Sequence, residues 1–83
     1  MYSKRFLLEI RLSHHAKIRM VERNITDEII MDLVETGKTQ YKDEKRLWIY
    51  KAYTDRDDNL LCIAVVLESV LVIKTVMHHF ELE

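Results

Sequence analysis

After Gly37 the apolar residues of this chain stop recurring every three or four positions and begin to run in strand-like blocks. That change of period constrains the fold more than any single motif, because helices and strands present their apolar faces at different spacings. Ahead of it lie one alternating segment and two helical ones. In Phe6 to Leu12, the side chains of Phe6, Leu8, Ile10 and Leu12 point one way and Leu7, Glu9 and Arg11 the other, as in a strand. Ser13 is placed to cap a helix over roughly residues 14–23, with Ala16, Met20 and Val21 on its buried side and His15, Arg19 and Arg23 round from it. Asn24-Ile25 turns the chain. Thr26 then caps a second helix, whose first turn carries Asp27 and Glu28 beside the positive helix end. Its stripe is Ile29, Ile30, Leu33 and Val34, and Gly37 is placed as the C′ residue that ends it.

Beyond Gly37, Arg46 to Tyr53 is rich in aromatic and β-branched residues and reads as a strand. Asp55-Arg56-Asp57-Asp58-Asn59 is a polar turn of hairpin length. Leu60 to Leu67 is nearly all apolar and fits a central strand covered on both faces. After a turn at Glu68-Ser69 the last strand runs from Val70 to Met77. Regular alternation puts Val70, Val72, Lys74, Val76 and His78 on one face, and Leu71, Ile73, Thr75, Met77 and His79 on the other. The expected order is β-α-α-β-β-β in a single domain spanning residues 1–83. It is an α+β fold with a mostly antiparallel sheet and two helices packed on one face. Two helices cover one face only, which leaves the other for a ligand or partner.

A single glycine and no proline exclude the Gly-rich phosphate loops of Walker or dinucleotide type and leave no flexible linker. No apolar run approaches the ~20 residues that span a bilayer. Glu9 and Arg11 interrupt the apolar run behind Lys4-Arg5, which argues against a signal peptide and against membrane association. Cys62 is alone, so no disulfide within the chain is possible, and a reducing cytoplasm is the expected setting. Its surroundings, Leu61-Cys62-Ile63-Ala64, are those of a buried strand thiol rather than a nucleophile. The net charge of -1 is unevenly spread. Residues 1–24 hold six Lys or Arg against two Glu, and residues 25–59 hold six against nine acidic residues. A basic face is therefore possible, but a chain coated in positive charge is not.

The chemistry-bearing residues are two histidine pairs and an arginine ladder. Transfer of an RNA 2′-hydroxyl onto its neighbouring phosphate needs a base, an acid and positive charge around the non-bridging oxygens. His78 is the first candidate for acid or base, with His79 its alternative if the strand end bends, and Lys74 can stabilise developing charge. His15, Arg19 and Arg23, spaced four and four, can clamp a backbone. Trp48 can stack on a base, as can Tyr50 or Tyr53. Each has an ordinary structural role as an alternative: solvated helix arginines, a capping histidine, core or rim aromatics. Four histidines raise the question of zinc or nickel, but adjacent strand side chains diverge and no His-Glu-x-x-His or cysteine cluster supports them. No metal or other cofactor is expected.

The run Ser13-x-His15-Ala16-x-x-Arg19-Met20-x-x-Arg23-x-Ile25, followed by a Thr26-capped helix, resembles the His-Ala-x-x-Arg-Met-x-x-Arg-Gly-Ile signature of a family of small bacterial domains of unknown function. Such domains look similar to the RelE/ParE-type toxins of toxin–antitoxin pairs, with their β-α-α-β-β-β core. The resemblance implies a cytoplasmic toxin with an antitoxin partner. RelE-like members cut messenger RNA at the ribosome with basic residues and a C-terminal acid–base residue; ParE-like members poison gyrase without RNA chemistry. Carried over by position, the RelE-like chemistry falls to Lys74 and to His78 or His79. Asn24 stands where the signature has glycine, and asparagine also tolerates a left-handed backbone. RNA-cleaving members are strongly cationic, whereas this chain is slightly acidic.

Two expectations follow. The first is a metal-independent endoribonuclease of a toxin–antitoxin pair. The second is a non-catalytic module, or gyrase-type toxin, that acts by protein–protein interaction. A common positive cleft formed by His15, Arg19, Arg23, Lys74 and a terminal histidine favours the enzyme. Dispersed side chains, or arginines consumed by structural bonds, favour binding. A small core with one open sheet face also makes a homodimer or partner complex an expectation.

Overall fold

The computed structural model describes residues 1–82; Glu83 lies outside them. Its elements are β1 (Tyr2–Ser3), β2 (Leu8–Leu12), α1 (His14–Glu22), α2 (Asp27–Thr36), β3 (Lys38–Tyr41), β4 (Arg46–Lys51), β5 (Leu61–Leu67) and β6 (Leu71–Met77). They form one six-stranded sheet in the order β1-β2-β6-β5-β4-β3. β2 and β6 are parallel, and every other pairing is antiparallel. The helices connect strands at opposite sides of this sheet, so the chain must cross it, and α1 packs on β6 while α2 packs on β4.

The expected α+β class and the one-sided helices hold, with two strands more than expected. β3 has the sequence Lys-Thr-Gln-Tyr at an exposed margin and shows no apolar alternation to read. β1 is two residues long. It is held by Glu35 of α2, which accepts from the backbone N–H of Lys4 (2.7 Å) and Arg5 (3.0 Å) and from the Ser3 hydroxyl (3.2 Å). Arg5 in turn donates to the Val34 and Gly37 carbonyls at the end of α2. Phe6 and Leu7, expected in the first strand, lie in the turn between β1 and β2, where Leu7 takes a left-handed φ of 57°.

Both helix starts are as expected. Ser13 accepts from the Ala16 N–H at 3.0 Å, and Thr26 accepts from the Ile29 N–H at 3.3 Å. α1 ends in a Schellman motif: Asn24 has φ 52°, its N–H reaches the Val21 carbonyl, and the Ile25 N–H reaches the Met20 carbonyl. Ile25 and Met20 are both buried, which supplies the apolar contact that closes such a motif. Val21, expected on the buried side, is 81% exposed, because the helix turns only Ala16 and Met20 fully inward. Gly37 is not left-handed. Its φ is -69°, and it is glycine because a Cβ there would lie 2.6 Å from both Ile49 Cγ2 and the Leu33 carbonyl oxygen.

The core is made from one face of the sheet. Leu47, Ile49, Leu61, Ile63 and Val65 meet Ile30, Leu33 and Val34 of α2 and Ala16 and Met20 of α1. The alternation expected of the last strand breaks in its middle. Val65 pairs with Ile73 but Ala64 pairs with Thr75, leaving Lys74 as the extra residue of a bulge. One added residue reverses every later side chain. Val76 is therefore fully buried with Leu71 and Ile73, not on the face of Val72 and Lys74.

Candidate functional site

The bulge decides which candidate residues meet. β2 leaves β6 at the Leu12–Ile73 pair, so beyond it the outer margin of β6 has no strand to bond among the described residues. α1 fills that gap. The Ser13 N–H donates to the Ile73 carbonyl (3.0 Å), its hydroxyl donates to the Lys74 carbonyl (2.8 Å), and Arg23 donates through Nη1 to the Val76 carbonyl. Ser13 and Arg23, the two ends of the α1 signature, thus finish the hydrogen bonding of an exposed strand edge. Ala16 and Met20 between them seat the helix in the core. Arg19 instead pairs with Glu22 at 2.7 Å on the surface, and His15 is exposed on α1. The trio of His15, Arg19 and Arg23 does not converge as a clamp.

The end of β6 enters a different cluster. His78 Nδ1 lies 3.0 Å from Asp58 Oδ2. Arg56 grips the same carboxylate with Nε and Nη2, both at 2.8 Å, and donates to the Arg23 (2.7 Å) and Asn24 (2.8 Å) carbonyls past the end of α1. The Arg56 fork holds Asp58 well below the usual carboxylate range; partial desolvation opposes this, and the His78 bond adds to it. His79 has φ 52°, so the terminal bend is present, and its ring centroid is 4.7 Å from that of His78. Both histidines line an open recess with Arg23, Arg56, Asp55, Asp57 and Asp58. Carboxylates outnumber the arginines there, and both guanidiniums already serve backbone or carboxylate groups, so the recess does not suit an anion. The expected pairing of Lys74 with His78 on one face is corrected: the bulge places them in separate surroundings.

Lys74 belongs to the uncovered face of the sheet. Cross-strand register puts Trp48, Ala64 and Thr75 in one row there, and Tyr50, Cys62 and Met77 in the next. A depression of about 260 Å³ lies among Trp48, Ala64, Val66, Lys42, Arg46 and Lys74. The Lys42 ammonium stands 4.7 Å from the Trp48 ring centroid. Phe80, brought back by the bend at His79, meets Trp48 edge-on at 5.1 Å and Tyr50 at 6.3 Å. Arg46 is compensated by Asp43, whose carboxyl is held down at about 2 by the N–H of Lys45 and by Arg46. Among the described residues neither Lys42 nor Lys74 has a carboxylate partner. Arg11 and Lys38 extend the same face, beside Val72 and Tyr50 in register.

Other candidates are occupied structurally. Tyr53 donates its hydroxyl to Asp32 at 2.6 Å, beside the Lys51–Asp32 pair. That bond ties its phenol to α2, and burial together with the carboxylate raises its pKa. Cys62 is fully buried and burial pushes its thiol up to about 12, which suits the structural role read from its neighbours. Among the described residues no group of three or more His, Cys, Asp or Glu is placed to hold a metal ion, and no helix is long and apolar enough to cross a membrane. Sequence reasoning missed Asp58, Arg56, Lys42 and Ala64. The first two were legible only as turn residues. Ala64 could have been paired with Trp48 had a register been fixed.

A family model described as a domain of unknown function, DUF4258, matches residues 12–78. No curated protein and no solved structure matches the chain. The matched span opens at the end of β2, runs through the Ser13–Arg23 edge cap and closes on His78. The chain belongs to the DUF4258 family.

Proposed function

We propose that this chain is a toxin-like domain that engages single-stranded RNA through the uncovered face of its sheet. One observation carries this: in a chain of net charge -1, Lys42 and Lys74 stand without carboxylate partners among the described residues beside the half-buried Trp48. Cations that follow a backbone and aromatic rings that accept bases are the two components of single-strand binding. The toxin-like part rests on two helices packed on one face of a mostly antiparallel sheet, with the strand–helix–helix–strands order inside it. An antitoxin partner would act by covering the open face.

A second reading, the metal-independent endoribonuclease, has the Asp58–His78 bond in its favour, since a fixed carboxylate orients an imidazole for proton transfer. His78 or His79 would exchange protons with the 2′-hydroxyl and the leaving 5′-oxygen. Against it, Lys74 lies at the depression on the open face of the sheet, apart from the histidines, and the recess at the histidines is acidic.

Inducible expression in bacterial cells separates these outcomes. Binding without cleavage predicts slowed growth, intact RNA and RNA retained on the purified chain, all relieved by Trp48→Ala with Lys74→Ala. Cleaved RNA spared by His78→Ala would establish the enzyme instead. Slowed growth with no RNA retained points to a protein target such as gyrase. Normal growth at confirmed high expression, again with no RNA retained, overturns both RNA readings.

A further inference from the structure

We infer that the depression at Trp48 is a nucleobase subsite, in which one unpaired base stacks on the indole while Lys42 and Lys74 take the flanking phosphates. The inference rests on the RNA-binding proposal and assigns its contact point. The group standing over the indole at 4.7 Å is the ammonium of the exposed Lys42 side chain, which a ligand can displace. A base entering there displaces the ammonium sideways, where it meets the phosphate that the base brings with it. Phe80 holds the indole in a T-shaped contact, with 5.1 Å between centroids and 76° between ring planes. A ring already held by a neighbour loses little freedom on stacking.

The floor has the right chemistry and scale. Ala64 lies directly across from Trp48 in the β4–β5 register, and its small side chain leaves room that a larger residue would fill. Val66 continues the apolar floor beside it. About 260 Å³ is below the ~300–1,000 Å³ of sites that enclose a whole small molecule. It suits one flat ring system entering from an extended chain. Lys74 reaches the rim on the face it shares with Val72, and beyond the bulge its neighbour Thr75 lies opposite Ala64. Charge selects the occupant. Lys42 and Lys74, without carboxylate partners among the described residues, favour phosphate, and the ring face favours a base over an acidic peptide, which has carboxylates but no aromatic plane to stack. A duplex hides its base faces and cannot use the subsite.

Trp48 is the single tryptophan, so its emission reports this site alone. The test titrates the full chain with a single-stranded RNA 12-mer, the same sequence as a duplex, and poly-L-glutamate at low and moderate salt. Emission and the anisotropy of labelled RNA are followed together. The expected result is saturable quenching by the single strand only. Trp48→Phe should keep much of the affinity, Trp48→Ala should lose roughly tenfold or more, and Ala64→Val should weaken binding by filling the floor. Lys74→Ala should lower the salt dependence of log K by about 0.7. Circular dichroism and melting of each variant establish that it folds. Anisotropy binding with unchanged Trp48 emission and an unaffected Trp48→Ala overturns the subsite and leaves the RNA face standing. Absence of RNA binding even at low salt overturns both. Equal quenching by poly-L-glutamate, released by salt, replaces the base with an acidic protein partner.

Discussion

At Gly37 and Asn24 the backbone decides the residue type, for two different physical reasons. Gly37 has ordinary φ, but any Cβ meets Ile49 and the Leu33 carbonyl where α2 turns into β3. Gly37→Ala is expected to cost about 1–3 kcal/mol through overpacking, read from the urea midpoint at unchanged m-value. Asn24 needs left-handed φ and little space. Asn24→Gly should be neutral or mildly stabilising, whereas Asn24→Val should cost roughly 1–2 kcal/mol. The sequence signalled both positions, as a helix terminator and as a substitute for glycine. It placed the end of α2 at Gly37 but did not show the reason for glycine there, because close approach between α2 and β4 is a tertiary fact. The helix caps at Ser13 and Thr26 were legible because a cap is local chemistry.

Among the elements, α1 is best understood through the strand it completes. Its signature residues were read as a possible phosphate clamp on spacing alone, and spacing was all the sequence offered. The structure directs Ser13 and Arg23 to the bare margin of β6. Arg23→Ala should leave the Val76 carbonyl short of a partner and cost about 1–3 kcal/mol. Ser13→Ala loses a cap and an edge bond together and should cost at least ~1 kcal/mol. Hydrogen exchange should then rise at α1 and at the end of β6 while β4 and β5 stay protected; uniform loss of protection would refute a local edge-capping role. β6 itself shows why the site was only half legible. Its alternation was plain on paper, but a bulge leaves no mark in a single sequence, and one extra residue moved Lys74 and Val76 onto opposite faces.

At the scale of the molecule, three carboxylates tie separate segments to the core. Asp58 joins the β4–β5 loop to the chain end and, through Arg56, to the end of α1; Asp32 joins α2 to β4, and Glu35 joins α2 to the β1 turn. All three sit below their ordinary values. Arg56 does this for Asp58 and Lys51 for Asp32; at Glu35 desolvation is outweighed by the N–H groups of Arg5 and Lys4. A carboxylate depressed in the folded state contributes stability that is full above its unfolded value and fades as pH falls through the folded one. The melting temperature should therefore hold from pH 7 to about 5 and drop below about 4. Asp58→Asn should lower it at neutral pH and flatten the acid limb; an unchanged acid limb would remove Asp58 from this role. By itself the sequence determined the two capped helices, the apolar strands after Gly37 and the one-sided layering, because caps, periodicity and turn chemistry act within a few residues. Tertiary structure alone decided the parallel β2–β6 pairing, the bulge at Lys74, the edge-capping role of Arg23 and the meeting of Trp48, Lys42 and Lys74. Those depend on register between strands distant in sequence, where a shift of one residue exchanges the buried face for the open one.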